Sequence, residues 1–295
     1  MPGGRASGDD EVMIPHPIPY QGSKRRLAPQ ILAHVPAFGG RWVEPFLGSG
    51  ALALAVASRS GSTPLLLGDS LAPLMGVWES VIHAPDYLAD RYQRLWLTEA
   101  PGCRAEYDAA RLRSRTGDPL DPSAHADFLY LLARAAKSAP RFNQAGHFNQ
   151  SPDARRRGTE PPRMRQHLRA ASRLLFGRTI LRTQDFAATC AEAAPDDVVY
   201  LDPPYQGTSG PRDRRYQQGL DLPRLLATLA SLLSRGVPFL LSFDGRTGAK
   251  VHGESLPASL GLRRVELPAG RSAQATLLGR DEQTVESLYL SPNLS

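Results

Sequence analysis

The stretch "VVYLDPPY", residues 198–205, places an acid, two prolines and a tyrosine directly after four apolar residues. Val198, Val199 and Leu201 suit a buried parallel strand. Asp202 then emerges at the carboxyl end of that strand, where open α/β sheets hold their ligands. Pro203 and Pro204 fix φ and supply carbonyl acceptors with no competing N–H donor. Tyr205 adds a flat face. An acceptor-rich edge beside an aromatic plane fits a planar base bearing an exocyclic amine. The Asp202 carboxylate and the Pro203 carbonyl can accept its two N–H bonds while Tyr205 stacks on its ring. Such bonding draws the nitrogen lone pair out of conjugation and frees it to attack an electrophilic methyl group. The chemistry then needs mostly alignment of two bound substrates, worth about 7–11 kcal/mol in well-oriented systems. A base taken from a nucleic-acid duplex must leave the stack to enter such a pocket.

A second cluster lies upstream. "EPFLGSGAL" puts Gly48 and Gly50 between a strand and a helix, where glycines permit a tight turn and close approach of backbone to a ligand at a helix N-terminus. Asp69 ends the next strand, 21 positions after Gly48, at the distance of an acid that binds ribose hydroxyls. Nothing resembles a Walker lysine, so the expected ligand is a nucleoside without a triphosphate. In "IPYQGSKRRLAPQIL", Gly22 makes a turn and Lys24 opens a helix whose Leu27, Ile31 and Val35 share one face. Tyr20 and Lys24 then stand at the lip of the sheet, one to cover a nucleoside and the other to pair with a carboxylate.

These residues need a scaffold, and the pattern supplies one. Residues 12–79 read as strand, glycine turn, helix, strand, a βαβ unit that implies a parallel sheet. Residues 80–180 are dominated by helical patterns, interrupted by a Gly/Pro/Asn-rich stretch. Residues 181–295 return to strands around "VVYLD" and "VPFLLSFDG", with a helix over "LPRLLATLASLLSRG" between them. The fold class expected is α/β, a doubly wound sheet interrupted by a mostly helical insert. The insert holds the charge. From Arg134 to Arg182 there are twelve Lys or Arg against Asp153 and Glu160, a net +10 within a chain whose total is +6. Arginine is the better bidentate phosphate ligand, so this block is the expected polyanion-binding face.

The composition excludes other classes. With 41% hydrophobic and 22% charged residues the 295-residue chain is ordinary for a globular protein, and no apolar run approaches a membrane span. The first dozen residues lack the apolar core of a signal peptide and read as a frayed tail. Cys103 and Cys190 form no redox or metal motif, and the seven histidines form no ligand set, so no metal site is expected. His147 reads as an exposed loop histidine, and Asp244 as lying near the site without touching substrate. A soluble, cytoplasmic protein is the expectation.

"PYQGSK", "VEPFLGSG", "LLGDS" and "VVYLDPPY" occur in the order used by the Dam-like, alpha-group DNA adenine methyltransferases, which the chain resembles from about residue 17 onward. The resemblance implies a Rossmann-like sheet that uses S-adenosyl-L-methionine (AdoMet), with an inserted target-recognition domain. It implies transfer of the donor's methyl group to adenine N6 in double-stranded DNA. By position, Tyr20, Lys24, Phe46, Gly48, Gly50, Asp69 and Asp202 would line the donor site, and Asp202, Pro203 and Tyr205 would hold the base. "RFNQAGHFNQ" is similar to the family's Arg-Phe/Tyr-Asn and Gly-x-Phe-Asn segments. Arg141, Asn143 and Asn149, with Arg155, Arg156 and Arg157, are thus candidate DNA contacts. The family's usual Asn-Gly is replaced by Ser138-Ala139-Pro140. The closing segment is similar to methylases of restriction–modification systems, implying a cognate endonuclease acting on the same site. Two alternatives stay open on the residues alone: methylation of cytosine N4 by the same geometry, and a catalytically silent DNA-binding protein.

Overall fold

The computed structural model describes residues 13–98, 104–118, 120–204, 220–247, 250–252, 256–271 and 283–294. In chain order they form α1 (Ala28–Leu32), β1 (Trp42–Glu44), α2 (Ala51–Arg59), β2 (Leu65–Asp69) and α3 (Ala72–His83). Then come α4 (Pro85–Thr98), α5 (Ala105–Thr116), α6 (Pro122–Arg134), α7 (Pro161–Leu175), β3 (Thr179–Thr183) and α8 (Phe186–Ala191). The remaining elements are β4 (Val198–Leu201), α9 (Leu222–Ser234), β5 (Phe239–Thr247), β6 (Lys250–His252), β7 (Arg263–Arg271) and β8 (Gln283–Leu290).

The strands lie in one mixed α/β sheet of order β3-β2-β1-β4-β5-β8-β7, with β6 paired to β5. β3, β2, β1, β4 and β5 run parallel. β8 enters antiparallel between β5 and β7. The chain winds outward through β1, β2 and β3, then returns to β4 on the other side of β1. This reversal opens a crevice at the carboxyl ends of β1 and β4, the place where such sheets bind ligands.

The strands are buried on both faces because their side chains alternate between two cores. Trp42, Leu65, Leu67, Val198 and Tyr200 face one side, with Trp42 and Tyr200 stacked at 6.0 Å. Val43, Leu66, Val199 and Leu201 face the other, against Phe186, Leu225, Leu229 and Phe239. Each such apolar side chain contributes about 1.5–3 kcal/mol when fully buried. The first core runs on without a break into the helical block, through Trp78, Tyr92, Leu131 and Met164. Positions 79 and 80 lie within α3, and 180 and 181 within β3, so helices and sheet meet without a linker. α6, capped by the Asp121 carboxylate accepting the Ser123 N–H at 2.8 Å, is the buried axis of that block.

Two local expectations change. The helix after Lys24 is a single 3-10 turn, Lys24–Arg26, followed by α1, which stops at Leu32. Val35 falls beyond it because Pro36 disfavours helical backbone at the preceding residue. β3, β7 and β8 carry no strong sequence signal; Ile180 is exposed in an edge strand rather than buried in an apolar run.

The glycine turn is held by a distant tryptophan. Gly50 has φ 62°, and a β-carbon there would lie 2.6 Å from the Trp78 ring. Trp78 Nε1 in turn donates to the Gly48 carbonyl at 3.1 Å. Gly50→Ala combines left-handed backbone with overpacking, and is expected to destabilise the fold by about 2–4 kcal/mol in denaturant titrations. A loss below about 1 kcal/mol would show that Trp78 can yield.

Candidate active site

Three carboxylates end three neighbouring parallel strands: Asp69 on β2, Glu44 on β1 and Asp202 after β4. β1 lies between the other two, so Glu44 is the central acid. Glu44 is buried, with Trp42 Nε1 donating to its Oε2 at 3.1 Å. Burial, reinforced by Asp202 and Asp69, pushes its pKa up to about 8. The Asp69 oxygens accept the backbone N–H groups of Gly48 at 3.1 Å and Leu71 at 3.0 Å. Burial holds this carboxyl above its usual range despite those bonds.

Lys24 crosses this acidic edge. Its side chain is 4% exposed, and its Nζ lies 2.9 Å from Asp202 Oδ1 and 3.6 Å from Glu286 Oε2. It also donates to the Gly22 carbonyl at 3.2 Å. Burial opposes the ammonium charge, but the Asp202 and Glu286 carboxylates outweigh it and hold the lysine above its ordinary pKa. Burial raises Asp202 to about 6, against the pull of Lys24 and with the help of Glu286. The edge thus pairs one ammonium with two carboxylates and sets two further carboxyl groups on the neighbouring strands, a surplus of acids that favours a cationic ligand with one anionic end.

Aromatic surfaces flank it. The Tyr20 ring lies within 3.6 Å of where a β-carbon on Gly48 would be, and so covers the glycine turn. Phe46 stacks on Phe186 with centroids 5.0 Å apart. Phe186 opens α8, which is capped by Asp185. The structure therefore brings together Tyr20, Lys24, Gly48, Gly50, Asp69, Asp202 and Pro203, with Phe46 beside them. Tyr205 lies outside the described residues. Asp244 is buried and accepts from Tyr289 Oη at 2.6 Å.

Sequence reasoning passed over Glu44 and Glu286. Glu44 shares the signal that marked Asp69 and Asp202, an acid at the carboxyl end of a buried strand. Glu286 has no local signal, because its partner is 262 positions away in the chain and the antiparallel entry of β8 alone brings it in.

In the helical block, residues 141–149 form a small hairpin closed by the Phe142–Phe148 bridge, both rings buried. Asn143 Oδ1 accepts the N–H groups of Ala145 and His147, each at 3.0 Å, so its side chain holds the hairpin's shape. Asn149 is exposed, as are Arg155 and Arg156. The Arg157 guanidinium lies 3.9 Å from the Trp96 ring centroid and donates to the Trp96 carbonyl. Before the hairpin, Lys137 and Ser138 have φ 61° and 50°. This left-handed pair, which Asn-Gly would adopt readily, begins one residue earlier than the replaced segment. Its Ser138 carbonyl accepts the Gln21 N–H at 2.9 Å, tying the hairpin to the loop that carries Tyr20 and Lys24.

The fold and the acid-lined crevice define a methyltransferase of the Rossmann-like class. Residues 20–250 match the family model described as D12 class N6 adenine-specific DNA methyltransferase, and the chain belongs to that family. It is 28% identical over 234 residues to the DNA N-6-adenine-methyltransferase of Escherichia phage P1, covering 77% of this chain and 29% of the phage protein. It is 27% identical over 227 residues to the retron Ec67 DNA adenine methylase of Escherichia coli, covering 76% of this chain and 75% of that one. To the DNA adenine methylase of Salmonella typhi it is 26% identical over 231 residues, covering 76% and 79%. Membership of this family makes the acceptor adenine N6 in DNA, in preference to cytosine N4 or a silent DNA-binding role. Among the described residues no helix is long and apolar enough to cross a membrane.

The buried, raised Glu44 has a signed consequence for stability. The folded protein holds its proton more tightly than the unfolded chain, so its contribution is complete below the ordinary value of 4.5 and is lost as pH rises through about 8. Glu44→Gln should remove that loss. The melting temperature of the variant relative to wild type is expected to climb between pH 4.5 and about 8. A difference that stays flat would mean Glu44 is not buried as a neutral acid.

Proposed function

We propose that this chain binds AdoMet at the carboxyl edge of β1, β2 and β4 and methylates N6 of an adenine flipped out of duplex DNA. The observation that carries the reading is the buried Lys24 ammonium paired with Asp202 and Glu286 at the sheet edge that also carries Glu44 and Asp69. AdoMet is cationic at its sulfonium and ammonium groups and anionic at its carboxylate. The residues fit that charge pattern: Lys24 suits the carboxylate, and the surrounding acids suit the cations. When bound, the donor supplies an electrophilic methyl group.

The chain's own residues do the rest. Asp69, already fixed by two backbone N–H groups, has lone pairs left for the ribose hydroxyls. Tyr20, Phe46 and the glycine turn shape the nucleoside cavity, and Phe186 extends its apolar wall. Lys24 engages Asp202 Oδ1 and leaves Oδ2 as an acceptor for the adenine amino group, with the Pro203 carbonyl as the second acceptor and Tyr205 as the stacking face. A carboxylate with a pKa near 6 can also take the proton that the amine loses as its new N–C bond forms. The helical block, residues 80–180, reads the DNA between the two parts of the catalytic unit, 12–79 and 181–295. Arg141, Asn149, Arg155 and Arg156 are its exposed or partly exposed contacts. Asn143 acts by holding the hairpin, and Arg157 by anchoring the segment that follows it on Trp96. Similarity of the closing segment to restriction–modification methylases supports a protective role beside a cognate endonuclease, in the cytoplasm.

Two measurements test the reading. Binding a cation lowers the pKa of nearby acids, so AdoMet uptake near pH 7 should release protons from Glu44 and Asp202. Calorimetry in buffers of different ionisation enthalpy reads this directly. S-adenosylhomocysteine, which lacks the sulfonium charge, should release fewer; equal release would remove the electrostatic argument. Asp202→Ala should cut methyl transfer to duplex adenine by on the order of 100-fold or more, while DNA binding is largely kept. Retained turnover would sink the assignment.

A further inference from the structure

Much of the positive charge in the helical block is consumed within the fold. Arg165 pairs with Asp90 at 2.6 Å, Arg169 with Asp86 at 2.6 Å and Arg182 with Glu192 at 3.0 Å. Arg157 is bound to the Trp96 carbonyl at 2.9 Å, Arg178 to that of Ala57 at 2.8 Å, and Arg134 to those of Asp153 and Arg156. A second cationic cluster is built differently. It joins His16 from the N-terminal segment, Arg25 and Arg26 from the turn after Lys24, and Arg163 and His167 from the start of α7. Arg25, Arg26 and Arg163 are exposed. None of the five has a carboxylate partner among the described residues.

His16, Arg163 and His167 contact one another. The His16 N–H points to His167 Nδ1 at 3.3 Å, and Arg163 Nε–H to His167 Nε2 at 3.4 Å. A neutral imidazole accepts at only one nitrogen, so one of these donors meets an N–H and lacks an acceptor. Burial, then Arg25 and His167, lowers His16 to about 4. Burial, then Arg163 and Arg26, lowers Arg25 below its usual value. Folding therefore sets like-charged guanidiniums beside two histidines held neutral, with one donor to spare, an arrangement that an anion relieves.

We propose that Arg25, Arg26 and Arg163, backed by His16 and His167, form a clamp for backbone phosphates of the DNA strand running past the active-site mouth. The placement supports this source. Lys24, next to Arg25 in the chain, reaches Asp202 in the pocket. Tyr20 lies four residues after His16, no more than about 14 Å of extended chain. The clamp rests on the DNA methyltransferase reading and adds a contact surface outside the residues 134–182 block for two of its three arginines.

The test compares the full-length protein with an Arg25→Gln/Arg26→Gln/Arg163→Gln variant, and with an Arg59→Gln/Arg246→Gln/Arg263→Gln control that removes equal charge from exposed positions outside the helical block. Binding to a duplex containing adenine is measured across a salt series, with AdoMet affinity as the check on folding. The clamp variant should bind duplex at least about tenfold more weakly near physiological salt, with its log–log salt slope reduced by about one unit per lost phosphate contact. The control should keep most of the slope, and AdoMet affinity should be unchanged in all three. A clamp variant with the wild-type slope, or one no weaker than the control, would overturn the clamp while leaving the enzyme's function intact. Wild type that shows no salt-dependent duplex affinity would instead refute the DNA reading, and the clamp with it. If inorganic phosphate raises the melting temperature of wild type alone but duplex binding is equal in both, the site takes free anions and the DNA clamp is likewise overturned.

Discussion

Burying the Lys24 ammonium removes it from water, and only the carboxylates around it make that tolerable. In general, deleting one member of a buried ion pair costs about 3–5 kcal/mol, because the survivor is left charged and dry. Here the set is unbalanced in favour of the acids. The fold answers by holding some of them as acids: Glu44 keeps its proton to about pH 8 and Asp202 to about pH 6. The crevice is thus poised to give up protons when positive charge arrives. On the proposed donor site, stability and donor binding are linked through the same groups, so changes that relieve the protein alone would weaken its hold on the donor.

Sheet topology creates this tension. Parallel strands finish at the same edge, and reversal of the winding at β1 leaves that edge open between β1 and β4. Three strands that happen to end in acids therefore deliver them side by side. The antiparallel β8 adds the fourth acid from the other direction. Lys24 comes from a turn that packs across the edge, and the Gln21–Ser138 backbone bond connects that turn to the hairpin of the helical block. The continuous core between sheet and helices makes this connection firm, since the Trp78 that braces the glycine turn belongs to a helix of that same core.

Much of this is legible in the sequence where the cause is local. A buried run that ends in Asp202, a Gly48/Gly50 turn before a helix, and Asp69 at the end of the next strand each announce an element and its place at the sheet's carboxyl edge. Glu44 carries the same mark but hides beside a glycine motif that draws the eye. Glu286 has no local mark, because its place depends on strand pairing across most of the chain. Charge is the other limit. A count of arginines from Arg134 to Arg182 reports their number, but not that Asp86 and Asp90 on α4 already hold two of them. Nor does it report that Arg163, within the block, lowers the pKa of Arg25 outside it.

The Lys24–Glu286 contact joins the two ends of the described chain. During synthesis the lysine precedes its second carboxylate by 262 residues. Until β8 adds itself beside β5, the crevice lacks one wall and one charge. A nascent chain can therefore fold its parallel sheet before Lys24 has its second carboxylate, and the charge balance at the crevice arrives only with β8.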